Sequence, residues 1–162
     1  MDDPRPPASP ACHAHELQPP AFETQELIGW LNTLLKSERA CARGLRDLTG
    51  SNAGTTATLL ADIARDEGRF CVMLRRHIVR LGGEPSAATG VFYDKLMARE
   101  KLQAQLSLLD RGQAALVRTL ETSLPRIHDA ELVADLDEML EVHVVNLRRC
   151  AELQPEGEPS RA

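Results

Sequence analysis

Apolar residues recur along this chain at helical spacing, and each long stripe is broken by a polar side chain near its middle. At about 100° per residue, Leu27, Leu31, Leu34, Cys41 and Leu45 share one face of a helix predicted from about Thr24 to Leu48. Glu38 falls in the centre of that face. A second helix, from about Thr56 to Leu81, lines up Leu60, Ile63, Phe70, Leu74 and Leu81, with Glu67 in their midst. A third begins near Gly90 and runs to about Leu124; Leu102, Leu106, Leu109, Leu116 and Leu120 form its stripe, with Gln113 in it and Gln103, Asp110 and Phe92 at its edge. The fourth, capped by Asp129, reaches Leu153 and carries Leu132, Leu136, Leu140, Leu147 and Cys150 around His143, with Met139 on the flank.

The breaks between stripes have the chemistry of helix ends. Gly50 to Gly54 separates the first pair, Gly82-Gly83-Glu84-Pro85 stops the second helix, and Pro125 stops the third. Connections of a few residues favour antiparallel neighbours. The expected fold is all-α, an antiparallel up-down-up-down four-helix bundle over residues 21–153, with helices crossing at about 20°. Residues 1–20 hold six of the ten prolines and are expected to form a disordered tail, and 154–162 a second, flexible one.

Composition agrees with helix and narrows the partners. The 162 residues are 43% hydrophobic but only 3% aromatic, a balance that suits Leu/Ala-rich helices rather than sheet. A net charge of −5 argues against nucleic acid as a partner. No run approaches the roughly 18 apolar residues of a membrane span, and the N-terminus lacks a charged-then-apolar leader, so a cytoplasmic location is expected. Cys41, Cys71 and Cys150 read as small core hydrophobes; no CxxC pair occurs. Cys12-His13-Ala14-His15, in the proline-rich tail, is the one other cluster with soft metal ligands.

Carboxylates do not enter an apolar stripe unpaired, because desolvating each costs several kcal/mol. Residues equally far from an antiparallel turn lie at equal height, and a first turn centred between Asn52 and Ala53 sets Glu38 opposite Glu67. The same arithmetic sets His143 opposite Leu109 and Asp110, and Glu67 near Gln105. Two facing carboxylates repel unless a proton or cation lies between them. Two glutamates, a histidine and a further acid are the ligand types that iron or manganese take. Two other partners are open: flanking Arg39, Arg43, Arg69 or Arg111 reaching inward, or a metal-free layer of Glu, His and Gln that only fixes helix register.

On these residues the chain resembles the ferritin-like superfamily, and is similar to small uncharacterised bacterial members of it. That family's pattern is a Glu on one helix of each pair and a Glu-x-x-His on the other. Glu38 matches the first. Glu67-Gly-Arg-Phe70 keeps the Glu and has Phe for His, while Leu140-Glu-Val-His143 keeps the His and has Leu for Glu. Glu100 is the counterpart that the resemblance implies for the third helix, and Asp110 fits the face better. The resemblance thus implies a reduced iron or manganese site drawn from Glu38, Glu67, His143, Asp110 and Glu100. The alternative is a non-enzymatic interaction protein or homodimer, joined through outward-facing Val72, Val79, Val142 and Val145. No nucleophile elbow, Walker loop or dinucleotide-binding glycine pattern occurs.

Overall fold

The computed structural model describes residues 19–153, and in them all regular secondary structure is helical, with no strand. The two tails, including Cys12-His13-Ala14-His15, lie outside the described residues. Helix α1 spans Thr24–Gly50 and α2 spans Gly54–Arg80, joined by a three-residue turn. A short α3 covers Phe92–Met97, α4 covers Leu102–Ser123 and continues into a 3₁₀ turn at Leu124–Arg126, and α5 covers Ala130–Glu152. The helix starting at Asp129 is capped as its sequence predicts: the Asp129 carboxylate accepts from the backbone N–H of Leu132 at 3.0 Å.

The path between the second and third long helices differs from the short turn expected. Gly82 takes a φ of +82°, a left-handed conformation that glycine adopts without strain. The N–H of Gly82 bonds Val79 O and that of Gly83 bonds Ile78 O, which closes α2 in a Schellman motif. The chain then does not turn back. It lies extended along the outside of α1, where Asn32 donates to Glu84 O and accepts from Ser86 N, and Arg39 donates to Ser86 O and Ala88 O. The N–H of Gly90 bonds Lys36 O one step further along. This crossover carries the chain the length of the bundle before α4 begins.

The direction of the second helix pair follows from that crossover. On facing surfaces Arg149 pairs with Asp62, Asn146 with Asp66, and Asp135 with His77, so α5 runs antiparallel to α2. The α4–α5 hairpin then makes α4 parallel to α2 and α5 parallel to α1. The result is an all-α bundle with one long crossover, the connectivity of ferritin-like folds, in place of a simple up-down-up-down order.

The helix predicted from Gly90 to Leu124 is also interrupted, at residues 98–101. Leu96 and Leu102 differ by about 240° in helical phase, so one continuous helix would set them on different faces. The break releases them from that relation. Leu96, fully buried, presses on α1 at Gly44, where an added Cβ would come within 2.6 Å of its Cδ2. Tyr93 anchors the same short helix, its hydroxyl donating to Asp47 at 2.7 Å under the Arg43 guanidinium.

Two apolar clusters fill the bundle. One gathers Leu31, Leu35, Phe70, Leu74, Leu120, Leu136 and Met139 at the end where α1 begins. The other gathers Leu45, Leu60, Ile63, Leu96, Leu106 and Leu109 at the opposite end. On α5 the buried line runs through Leu136, Met139, His143, Asn146 and Cys150. Met139, on the flank of the stripe, is core, while Leu140 and Leu147 are only half-buried.

Candidate metal centre

Between the two apolar clusters lies one polar layer. It consists of Glu38 from α1, Glu67 from α2, Gln113 from α4 and His143 from α5, each at most 3% exposed. Each lies near the middle of its helix, with apolar residues above and below on the same face, which is why the interruptions in the stripes meet. Ligand atoms of Glu38, Glu67 and His143 all lie within 4.8 Å of one another.

The histidine is oriented by its own helix. Its Nδ1 lies 2.8 Å from the carbonyl oxygen of Met139, one turn earlier. With that N–H donating outward, Nε2 faces the carboxylates, 3.5 Å from Glu38 Oε2 and 3.6 Å from Glu67 Oε1. The Phe70 ring packs against the imidazole with centroids 5.3 Å apart. Gln113 donates from Nε2 to Glu67 Oε1 at 2.6 Å and approaches Cys41 Sγ at 3.5 Å. Four buried atoms in this layer have no hydrogen-bond partner: Glu38 Oε2, Glu67 Oε2, Gln113 Oε1 and His143 Nε2. Native interiors rarely leave such groups unsatisfied.

The electrostatics show how the layer balances itself without an ion. Burial, and then the neighbouring Glu67 charge, push the Glu38 carboxyl well above its usual range. Burial works to raise Glu67 too, but the neighbouring Glu38 carboxyl, the His143 imidazole and the Gln113 amide outweigh it and hold Glu67 low. Burial opposes charge on His143, yet the two glutamates lift it to about 11. One proton on Glu38 and one on His143, with Glu67 ionised, make the layer neutral. None of the four flanking arginines contributes. Arg39 binds crossover carbonyls, Arg43 lies over Tyr93, Arg69 pairs with Glu138, and Arg111 is exposed.

The two remaining predicted ligands lie elsewhere. Glu100 is exposed, in the break between α3 and α4, and shares no face with the layer. Asp110 is half-buried and its charge acts on Cys150, whose thiol is pushed up to about 11, first by burial and then by Asp110. The third long helix contributes Gln113 instead. The signal for it was present in the sequence as a polar residue inside that helix's apolar stripe.

A second histidine, His77, lies on the edge of the α2 stripe. It is fully buried, with Nε2 2.6 Å from Asp135 Oδ2 and Nδ1 3.0 Å from an Arg80 nitrogen. An arginine N–H can only donate, so Nδ1 accepts and Nε2–H donates to Asp135. Although His77, Glu131 and Asp135 also bring ligand atoms within 4.8 Å of one another, Arg76 and Arg80 already occupy the carboxylates there. That cluster is a structural network tying α2 to α5.

A helical bundle with one long crossover is a ferritin-like all-α fold. The solved structure of "ferritin like, diiron-carboxylate proteins" from Bacillus anthracis str. Ames is similar to this chain at a TM-score of 0.69 and 19% identity, covering 82% of this chain and 97% of that one. The chain belongs to the family described as Domain of unknown function (DUF6306), whose model matches residues 25–152. No curated protein matches it.

Proposed function

We propose that this protein binds one iron or manganese ion per chain at Glu38, Glu67 and His143. The observation that carries the proposal is the set of orphaned atoms. Two carboxylate oxygens and an imidazole Nε2 converge from three helices with no partner, and the imidazole is oriented by the Nδ1 contact that metal-binding histidines use. Two carboxylates and one neutral nitrogen suit iron or manganese better than the softer metals. The diiron-carboxylate description of the Bacillus anthracis protein supports iron. A dinuclear centre has less support, because Phe70 and Leu140 stand at two of its ligand positions.

A bound ion would supply Lewis-acid or one-electron chemistry. The chain's own contributions are definite. Met139 O fixes the imidazole tautomer, Gln113 orients Glu67, and the two apolar clusters keep water from the layer on either side. The test is metal analysis of untagged protein from iron- or manganese-supplemented cells, with an expected content of about one ion per chain. A content below about 0.1 per chain would leave the layer as a register device alone, which its internal charge balance favours as the second reading. In that case the exposed Val72, Val79 and Val145, at 69%, 61% and 50%, point to self-association.

A further inference from the structure

The seams between neighbouring helices are not closed alike. Along the α2–α5 seam Arg149 pairs with Asp62, Asn146 with Asp66, Arg69 with Glu138 and Arg76 with Asp135. Across the α1–α4 seam, among the described residues, the one polar contact is Gln113 Nε2 to Cys41 Sγ at 3.5 Å. The short helix α3 stands between α1 and α4 there. Its Leu96 rests on Gly44 of α1, and its Phe92 ring takes the space of a side chain at Gly112 of α4, where a Cβ would meet it at 2.9 Å. Beside it lies a cleft of about 240 Å³ walled by Leu34, Leu116 and Phe92. Of the three proposed ligand residues, Glu38 alone lines it.

An ion that reaches the layer must shed water and cross one of these seams, because apolar clusters close the bundle above and below. The groove on the α2–α5 face is barred. Its carboxylates Asp135 and Glu138 are paired with Arg76 and Arg69, and the Phe70 ring covers His143. The α1–α4 cleft offers oxygen instead. Thr33, Ser37 and Thr119 stand exposed on its lining. The Thr33 hydroxyl donates to Gly29 O at 3.1 Å and that of Thr119 to Ala115 O at 2.9 Å, each one turn back. Their protons are engaged, so what these oxygens still present is lone pairs, which suit a hard cation. We infer that the α1–α4 cleft is the route by which manganese or ferrous iron reaches the layer. The hydroxyls of Thr33, Ser37 and Thr119 replace the first waters shed, and Glu38 receives the ion ahead of Glu67 and His143. This inference rests on the metal reading of those three residues.

Loading of the metal-free full chain with manganese tests the route, followed as the loss of the free ion's paramagnetic resonance signal with time. Ala115→Trp, at an exposed position on the cleft lining, should load about tenfold more slowly than wild type yet reach the same final content, since a route sets rates and not equilibria. Thr119→Trp, one turn on and also exposed, is a second blocking variant with the same expected result. Val72→Trp, at the exposed rim of the α2–α5 groove, should load at the wild-type rate. Wild-type rates in the folded blocking variants, or an equal slowing by Val72→Trp, would overturn the route and leave the metal centre standing. No uptake by wild type would overturn both, so the final content tells the two failures apart.

Discussion

His143 turns its Nδ1 onto the carbonyl of Met139, 2.8 Å away and one helical turn back, and so presents Nε2 to Glu38 and Glu67. Removing that nitrogen should have two separable effects. In His143→Ala, the rise in thermal midpoint produced by manganese or ferrous iron should vanish, since binding to the native state is what generates it. The metal-free variant should also lose about 3–5 kcal/mol, because the buried Glu67 charge is left without its cation. Urea titrations with and without metal measure both. A variant that kept the metal-dependent rise would exclude His143 as a ligand.

The layer also sets a pH dependence whose sign reverses on metal binding. Glu38 and His143 hold their protons more tightly folded than unfolded, where values near 4.5 and 6.5 apply. Their contribution is fully present below those unfolded values and is lost as pH rises toward the folded ones, which for His143 is about 11. Glu67, held low, acts in the opposite sense and only at the acid end. The midpoint of metal-free protein should therefore fall from about pH 7 to about pH 10. With saturating manganese it should instead climb between about pH 5 and about pH 8, because the ion displaces protons from its ligands. Scanning calorimetry across both windows decides the matter; a flat metal-free profile would contradict the charge assignment.

Much of the site was legible in the sequence because Glu38, Glu67 and His143 interrupt otherwise regular stripes near mid-helix. That position keeps the three side chains in one layer whichever way the second helix pair runs. Reversing the direction of a helix pair moves its ends and leaves its middle at the same height. The crossover was not legible, because residues 83–91 have no apolar period. What holds them is Asn32 and Arg39, polar residues on the outer side of α1 with no signature in a hydrophobic pattern. Glu100 and Asp110 were expected in the site on the assumption that the third helix runs unbroken and supplies an acid. The break between α3 and α4 removes the first condition, and Gln113 fills the place of the acid.

Arg39 gives a way to loosen the crossover without touching the layer. Its guanidinium donates to Ser86 O at 2.8 Å and to Ala88 O at 2.6 Å. Arg39→Met keeps the aliphatic stem and removes both bonds, at a local cost of about 1–2 kcal/mol. Amide exchange should quicken at residues 84–91 and stay unchanged in the middle of α2 and α5, with metal content unaltered. Loss of metal from this variant would mean that Arg39 supports the site, contrary to its position.

Asp129 holds the start of α5 by two means, a cap on Leu132 and a 2.7 Å contact with Arg80. Its carboxyl is held below the usual range, by the Leu132 hydrogen bond and by Arg80 against a smaller effect of burial. Asp129→Ala should cost about 1–2 kcal/mol, and Asp129→Asn, which keeps a capping oxygen, clearly less. Stability from the charge is present above the unfolded pKa and lost as pH falls through the folded one, so Asp129→Asn should converge with wild type in acid while Asp129→Ala, without a capping oxygen, stays below both. Urea midpoints at neutral and acid pH compare them.

Gln113→Glu separates a metal centre from a register layer most directly. The substitution keeps the shape of the side chain and exchanges the Nε2–H that now meets Glu67 at 2.6 Å for an acceptor. Without metal, the layer then holds a third carboxylate against an ionised one, and the protein should lose about 2–4 kcal/mol or take up another proton. With metal, the same group adds an oxygen ligand of the type that iron and manganese prefer. The rise in midpoint at a fixed manganese concentration should then exceed that of wild type, by about 1.4 kcal/mol for each tenfold gain in affinity. If manganese fails to restore what Gln113→Glu loses, no ion binds between these side chains, and the layer serves only to hold four helices in register.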